Sequence, residues 1–356
     1  MKICVMGTRG FPLVQGGVEK HCESLYPLFD EKYKFVIFRR KSYVTSLNIY
    51  SNIKFIDLPS TRIKGFETLF HSFLASVYSC FIKAQIVHIH NIGPALFAPI
   101  IRLFGKKVVL TYHSPNYEHD KWGCMAKLLL KFSEMVALHF SNAIIFVNKY
   151  QMEKFADKIK KKSFYIPNGI PNITPTKSSC YIKSLGLVPQ RYVISVGRIT
   201  PEKGFDVLIQ AFERLETDFK LVIVGGVETE SEYFCKLKDY IHSNKVVFTG
   251  YIFGEKLNEI YSNAAVYVLS SVNEGFPLTL LEAMKYRLDV IVTDIPATHL
   301  VEIDDDNYFR KKNVDELTSI LSRKLVKIRK VDYDLSEFDW EKISKEVTSV
   351  YDSVMN

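Results

Sequence analysis

The chain has 356 residues, with 47 Lys+Arg against 39 Asp+Glu for a net charge of +8, and is 47% hydrophobic and 24% charged. That length exceeds one ordinary core and that mixture belongs to a folded chain, so two domains are expected and general disorder is excluded. No run of about 18 apolar residues occurs, which argues against a membrane-spanning helix. The six cysteines (Cys4, Cys22, Cys80, Cys124, Cys180, Cys235) form no CxxC and have no His partner at metal spacing, which points away from zinc and toward reduced thiols.

In chain order, MKICVMGTRG carries one lysine and then a short apolar run. It suits a buried first strand better than a signal sequence, so a cytoplasmic location is expected. KICVMG (2–7), KFVIFRR (34–40), IKFIDL (53–58), QIVHIH (85–90), KVVLTYH (107–113) and AIIFVN (143–148) read as strands. Most are continuous apolar runs, as in a parallel sheet covered on both faces, with helical patterns such as GGVEKHCESLYPLF between them. IPNGIPNITPTK (166–177) reads as a linker. A second series follows: RYVISVG (191–197), FKLVIVGG (219–226), KVVFTG (245–250), AAVYVLSS (264–271) and LDVIVTD (288–294). This predicts two doubly wound α/β domains in tandem, with ligands at the carboxyl ends of the strands and in the cleft between the domains. The boundaries expected are 1–167 and 168–338, with an amphipathic helix over 339–356 crossing back to the first domain.

Charge is uneven. Residues 1–162 hold 24 Lys+Arg and 11 Asp+Glu, a net +13, and the remainder nets −5. A basic half implies an anionic partner: nucleic acid, anionic lipid or a phosphorylated substrate. No nucleic-acid signature supports the first of these.

Three patterns carry chemistry. After the strand ending ISVG, Arg198 and Lys203 flank a turn and Pro201 opens a helix. Two cations beside a helix N-terminus make a diphosphate site, although a solvated loop with two ordinary surface cations gives the same spacing. In SSVNEGFPLTLLEAM (270–284), Glu274 falls in a loop at the sheet edge and Glu282 about one turn into the next helix. Carboxylates at such places accept paired hydrogen bonds from sugar diols, and an acidic side chain near a helix start also stabilises the helix. His113 ends a strand where it can donate to a sugar hydroxyl, although a histidine satisfied within its own loop YHSPNYEH fits the residues at least as well. His88 and His90 share one face of IVHIH and are expected to be structural or to support other residues.

GRITPEKG followed by EGFPLTLLE resembles the retaining GT-B glycosyltransferases of family 4, whose E-x7-E motif matches Glu274 and Glu282. The likeness extends over GTRGFPLVQGGVE, IVHIHN, LTYHS, PNGI and a final helix opened by Trp340. It implies an α/β GT-B fold of two Rossmann-like domains: an N-terminal domain for the acceptor and a C-terminal domain for the donor. It also implies a retaining hexosyltransferase that moves sugar from a nucleoside-diphosphate donor, UDP-linked by family frequency, to a saccharide or lipid-linked acceptor in surface-polysaccharide synthesis. Arg198 and Lys203 would hold the diphosphate, Glu282 the ribose and Glu274 the donor sugar. Gly197, Gly275, Phe276, Leu278 and Thr279 would surround sugar and phosphate, Gly16 and Gly17 would let the N-terminal loop approach, and His113 would stand by the reacting sugar. The catalytic set expected is His113, Arg198, Lys203 and Glu274, with the leaving phosphate taking the acceptor proton and no cofactor or metal. Asp304, Asp305, Asp306, Asp332 and Asp334 read as loop acidity.

Two departures stand out. THLVEIDDDNYF only loosely resembles the family's Glu-rich turn, with Glu302 as its counterpart, and the turn after KLVIVGG lacks the usual G-x-G-P. Base contacts are expected near Gly250 and Tyr251. Rival readings are another GT-B enzyme, such as an epimerase or synthase, a nucleic-acid-binding protein, and a binding-only partner of an active transferase.

The segments TRIKGFETLFHSFLASVYSCFIKA and DKWGCMAKLLLKFSEMVALHF combine cations (Lys121, Lys127, Lys131) with Phe66, Leu69, Phe70, Phe73, Leu74, Val77, Phe81, Ile82 and Trp122. Their spacing fits packing on the sheet first, and an anionic bilayer second. The second reading places the chain peripherally on the inner face of the plasma membrane.

Overall fold

The structure is a computed structural model that describes residues 1–44, 50–61, 63, 66–115, 117, 123–227 and 232–356. Arg62, Lys64, Lys121 and Trp122 lie outside the described residues. The chain divides into two compact units, Met1–Gly169 with Ser336–Asn356, and Ile170–Leu335.

The first unit is a seven-stranded parallel sheet of β1 (Lys2–Met6), β2 (Lys34–Arg40), β3 (Ile53–Leu58), β4 (Ile86–His90), β5 (Lys107–Tyr112), β6 (Ala143–Phe146) and β7 (Ser163–Tyr165), in the order β3-β2-β1-β4-β5-β6-β7. The central strands are apolar at nearly every position because helices cover both faces. Those helices include α1 (Gly17–Leu25), α2 (Phe66–Phe81), α3 (Ala98–Leu103) and α4 (Cys124–Phe140), followed by the short α5 (Lys149–Glu153) and α6 (Asp157–Lys160). β7 has three residues, too few for a periodic signal, and the sequence patterns miss it.

The second unit is a six-stranded parallel sheet of β8 (Tyr192–Val196), β9 (Lys220–Val224), β10 (Val246–Gly250), β11 (Val266–Leu269), β12 (Asp289–Thr293) and β13 (Tyr308–Phe309), ordered β10-β9-β8-β11-β12-β13. The two-residue β13 is likewise invisible in the pattern. Around it lie α7 (Cys180–Ser184), α8 (Phe205–Glu213), α9 (Glu232–Asp239), α10 (Gly254–Asn263), α11 (Leu278–Lys285) and α12 (Val314–Val326). Asp289, 2% exposed, ties this unit's edge together. It accepts hydrogen bonds from Lys324 at 2.9 and 3.1 Å, from Arg329 at 2.6 Å and from Asn307 at 3.2 Å.

The last helix, α13 (Trp340–Met355), belongs to the first unit. Asp339 caps it, accepting from the amides of Glu341 and Lys342 at 2.7 and 3.1 Å. Its apolar stripe of Trp340, Ile343, Val347, Val350 and Tyr351 packs with α1 against Ile3, Val5, Ile86 and Val109.

On the opposite face the helices depart from the expected pattern. The buried face of α2 is His71, Ser72, Ala75, Ser76, Ser79 and Cys80, all small except the imidazole. Four of its aromatic side chains point outward, Phe66, Phe73, Tyr78 and Phe81, the last exposed at 77%, while Leu74 packs partly buried on the core. Packing on the sheet therefore accounts for the small residues of α2, and its aromatic stripe faces away. α4 repeats this, burying Ser133, Ala137 and Leu138 and exposing Met125, Leu128, Phe132 and Met135. α3 packs between them and adds Leu103, exposed at 84%. No helix among the described residues is long and apolar enough to cross a membrane.

Two outcomes follow from this packing. Asp289→Ala strands the Lys324 ammonium in a buried site, so the second unit should lose about 3–5 kcal/mol, read as a lower urea midpoint. His71 is fully buried, and burial together with the Arg40 guanidinium pushes its pKa down to about 4. The unfolded ring titrates near its ordinary 6.5. Stability from this group is complete above 6.5 and falls as pH drops toward 4, with a slope of about 1.4 kcal/mol per pH unit. Urea titrations at several pH values should give His71→Leu a shallower pH dependence than the parent by that share.

Candidate functional site

In the second unit the strand order reverses at β8 and β11, which lie side by side. At such a switch point the turns leaving the two strands separate and open a crevice at the carboxyl edge. Here the two turns are stitched together. The Val272 amide donates to Glu202 O at 2.9 Å, and Ser270 Oγ donates to Lys203 O at 2.8 Å. Gly204 makes the close approach possible: its φ is +62°, and a Cβ would stand 2.2 Å from Ser270 O.

This stitching brings several of the sequence-selected residues together. Gly197 directly follows β8, Arg198 comes next, and Lys203 closes the turn Pro201–Lys203 before α8. Lys203 Nζ meets Glu274 Oε1 at 2.5 Å, with side-chain exposures of 18% and 12%. Ser271 Oγ donates to the same oxygen at 2.6 Å. A cation and a carboxylate separated by 71 residues thus form one half-buried pair at the sheet edge. Both remain within reach of a ligand that carries anionic oxygens and hydroxyls.

Gly275 and Phe276 lead into α11, whose cap is Pro277 and whose first residues are Leu278 and Thr279. Glu282, 4% exposed, sits deeper than Glu274. It accepts from the Tyr261 hydroxyl at 3.1 Å, and Tyr261 stacks on Tyr286 with ring centroids 4.9 Å apart. Burial and the Glu282 charge push the Tyr261 phenol well above its ordinary pKa, so it stays a donor to the carboxylate. Tyr267 donates to Thr279 Oγ1 at 2.8 Å and completes this aromatic wall. Tyr251, just past edge strand β10, is exposed and packs near Phe253. Glu302, Asp304, Asp305, Asp306, Asp332 and Asp334 are all exposed, Asp304 beside Arg329 and Asp332 beside Arg287.

The first unit places His113 directly after β5, 9% exposed. It stands in a buried cluster that sequence reasoning largely missed. His113 Nε2 lies 3.0 Å from His90 Nδ1, and His90 Nε2 lies 2.7 Å from the Tyr26 hydroxyl. His88 Nδ1 lies 2.6 Å from the Tyr351 hydroxyl on α13, and His88 Nε2 lies 2.7 Å from Thr111 Oγ1. His21, from α1, sets its ring edge-on to those of His90 and His113 and hydrogen-bonds Asn168 Oδ1 through Nδ1 at 2.6 Å. Burial keeps all four imidazoles neutral, pushing His21 down to about 4, His88 to about 3, and His90 and His113 well below the usual value.

Among the described residues, His21, His90 and His113 are the group whose geometry could hold a metal ion, with their ligand atoms all within 4.8 Å of one another. In this structure His90 and His113 already use facing nitrogens on each other. The one signal for His21 in the sequence is a polar residue on the buried face of α1, next to Cys22 and ahead of Leu25. Gly16 caps that helix and Gly17 begins it. Glu19, 7% exposed, ties the helix to the loop after β1, accepting from the Arg9 amide at 2.9 Å and from Thr8 Oγ1 at 3.3 Å.

Two family models account for most of the chain: Glycosyltransferase Family 4 over residues 15–172 and Glycosyl transferases group 1 over residues 181–331. The amylovoran biosynthesis glycosyltransferase AmsD of Erwinia amylovora is 24% identical over 271 residues, covering 73% of this chain and 66% of that protein. The aligned parts of the first two curated relatives span 55% and 66% of their lengths, so the chain matches less than two thirds of each. Among solved structures, sucrose-phosphate synthase from Thermosynechococcus elongatus has a TM-score of 0.83 at 20% identity, covering 99% of both chains. Anabaena Alr3699/HepE, solved with UDP and glucose, has a TM-score of 0.78 at 16% identity, covering 99% of this chain and 100% of that one. These likenesses show the GT-B fold, with its two parallel-sheet α/β domains. The group 1 match contains the site at the β8/β11 switch point and the Family 4 match covers most of the first unit: the chain belongs to the family 4, group 1 glycosyltransferases.

Proposed function

We propose that the protein transfers a sugar, with retention, from a UDP-linked donor to a hydroxyl of a lipid-linked saccharide during surface-polysaccharide synthesis. The observation that carries this reading is the Lys203–Glu274 pair beside Arg198 at the switch point of the second unit. Arg198 and Lys203 take the donor diphosphate and stabilise the charge that develops as it leaves. Glu274, steadied by Ser271, accepts from donor-sugar hydroxyls, and Glu282, held by Tyr261, accepts from the ribose diol. The start of α11, with Leu278 and Thr279, adds a helix N-terminus toward the phosphates. The loop at Gly275 and Phe276 closes around the sugar, and Tyr251 lies against the base.

In this reading the second unit binds the donor and the first binds the acceptor. His113 donates to the reacting sugar, and the loop at Gly16 and Gly17 approaches it. The departing phosphate takes the acceptor proton, and no step calls on a metal. UDP as the nucleotide is supported by HepE, which was solved with UDP and glucose. A polysaccharide role is supported by AmsD, an amylovoran biosynthesis enzyme. A second reading, transfer to a small sugar phosphate, is favoured by the likeness to sucrose-phosphate synthase.

Membrane association at the acceptor side is supported by the outward apolar faces of α2, α3 and α4. Phe81, Leu103, Met125 and Leu128 stand among Lys83, Arg102, Lys127 and Lys131, which suits an anionic bilayer surface.

Three measurements test these points. In a thermal-shift screen, UDP and UDP-sugars should raise the melting temperature more than their GDP and dTDP counterparts, and no shift with any of them removes the donor site. Arg198→Ala and Lys203→Ala should each lower kcat by about 100-fold or more, and wild-type turnover in both sinks the assignment. In flotation assays the chain should rise with phosphatidylglycerol vesicles at low salt. The Phe81→Glu/Leu128→Glu variant should stay at the bottom while binding UDP normally, and a parent chain that never floats supports the soluble acceptor instead.

A further inference from the structure

We propose that His90 is a positioning residue for His113. In this proposal a buried hydrogen-bonded network of Thr111, His88, Tyr351, Tyr26 and His90 holds the His113 ring as the tautomer whose proton is on Nδ1. It rests on the reading of His113 as a donor to the reacting sugar and goes beyond it by stating which nitrogen donates and what fixes that choice.

The contacts form a continuous path. Thr111 Oγ1 and His88 Nε2 are 2.7 Å apart, and His88 Nδ1 and the Tyr351 hydroxyl 2.6 Å. The Tyr26 hydroxyl also lies 3.1 Å from His88 Nδ1, so both tyrosines meet the same nitrogen. Tyr26 reaches His90 Nε2 at 2.7 Å, and His90 Nδ1 reaches His113 Nε2 at 3.0 Å. Every participant is buried. A neutral imidazole has one donor and one acceptor nitrogen, so each link fixes the direction of the next.

The direction at His113 is decided by how many buried protons find an acceptor. If His113 donated to His90 and His90 Nε2–H to Tyr26, the Thr111, Tyr351 and Tyr26 hydroxyl protons would compete for the single acceptor nitrogen of His88, and two of them would have none. Thr111 is 1% exposed and His88 is its one side-chain hydrogen-bond partner among the described residues. A buried unmatched donor is costly enough to select against that direction. In the opposite direction Tyr26 donates to His90 Nε2 and His90 Nδ1–H to His113 Nε2, which leaves one fewer buried hydroxyl proton without an acceptor. The proton left over is then on His113 Nδ1. That nitrogen is not among the buried atoms lacking a partner, and it makes no hydrogen bond among the described residues. The network therefore leaves the His113 donor at the edge of the sheet, where a ligand can take it.

The closing experiment uses the full-length chain labelled with 15N-histidine, read by two-bond 15N–1H correlation together with kinetics on the UDP-sugar selected by the screen above. Wild type should show His113 as a single Nδ1–H tautomer. His90→Phe fills the space without a donor; it should shift His113 toward the Nε2–H form and lower kcat about tenfold or more at unchanged donor KM. His90→Asn, whose amide N–H replaces that of Nδ1, should restore both readouts. Should His90→Phe fail to fold, the near-isosteric Tyr26→Phe removes the donor to His90 Nε2 and should also loosen the tautomer. A wild-type Nε2–H tautomer, or a His113 tautomer and kcat untouched by His90→Phe and Tyr26→Phe, overturns the proposal. His113→Phe separates the two levels: full turnover there, with the tautomer as stated, removes His113 from the reaction and leaves the alignment standing.

Discussion

Everything at the donor edge depends on two turns being drawn together across the β8/β11 switch point. A parallel sheet by itself splays its outgoing loops, because each helix leaves toward its own face. The backbone contact from Val272 to Glu202, the Ser270 hydroxyl on Lys203 O and the side-chain-free Gly204 hold these loops against that tendency. With the backbones fixed, Lys203 and Glu274 meet without the long search that two flexible surface chains would need. Their charges are partly shielded from water, so a phosphate or a diol that displaces or joins the pair meets preorganised groups. The geometry is a consequence of backbone packing first and of charge second.

The first unit solves a different problem. Its sheet edge carries four imidazoles, His21, His88, His90 and His113, in space that would otherwise be apolar core. Buried polar groups are tolerated when they are matched, and here two tyrosines, a threonine and Asn168 supply most of the matching. The return helix α13 contributes Tyr351 to that network and Trp340 to the packing over Gly169 and beside His21. The polar cluster and the hydrophobic core of this unit are therefore built from the same elements.

How much of this could be read from the sequence depends on the range of the interaction. The strands of both sheets were legible because burial on two faces makes them continuous apolar runs, while β7 and β13 were too short to leave a pattern. Arg198, Lys203, Glu274 and Glu282 were legible as a spacing, since each pair is carried by one turn–helix element. That Lys203 and Glu274 touch was not legible, because 71 residues separate them and only the strand order joins them. The histidine cluster was harder still: its members come from α1, β4, the end of β5 and α13, and His88 is bonded to a tyrosine 263 residues away. α2 misled for a separate reason. Helical periodicity identifies an apolar stripe without saying which side faces the sheet, and here the small residues face inward.

The place of α13 has a bearing on how the chain is made. The first unit is discontinuous, with the whole of Ile170–Leu335 inserted between its two parts. During synthesis its sheet emerges first, yet Trp340, Ile343, Val347 and Tyr351, which seal one face, arrive only after the inserted unit has been translated. The earlier-made domain must wait with an open apolar flank and an unfinished polar network, while the later-made one can fold from a contiguous stretch. Vectorial synthesis thus reverses the order in which the two halves mature, and a ribosome stalled ahead of residue 340 would hold the nascent chain in its most aggregation-prone form.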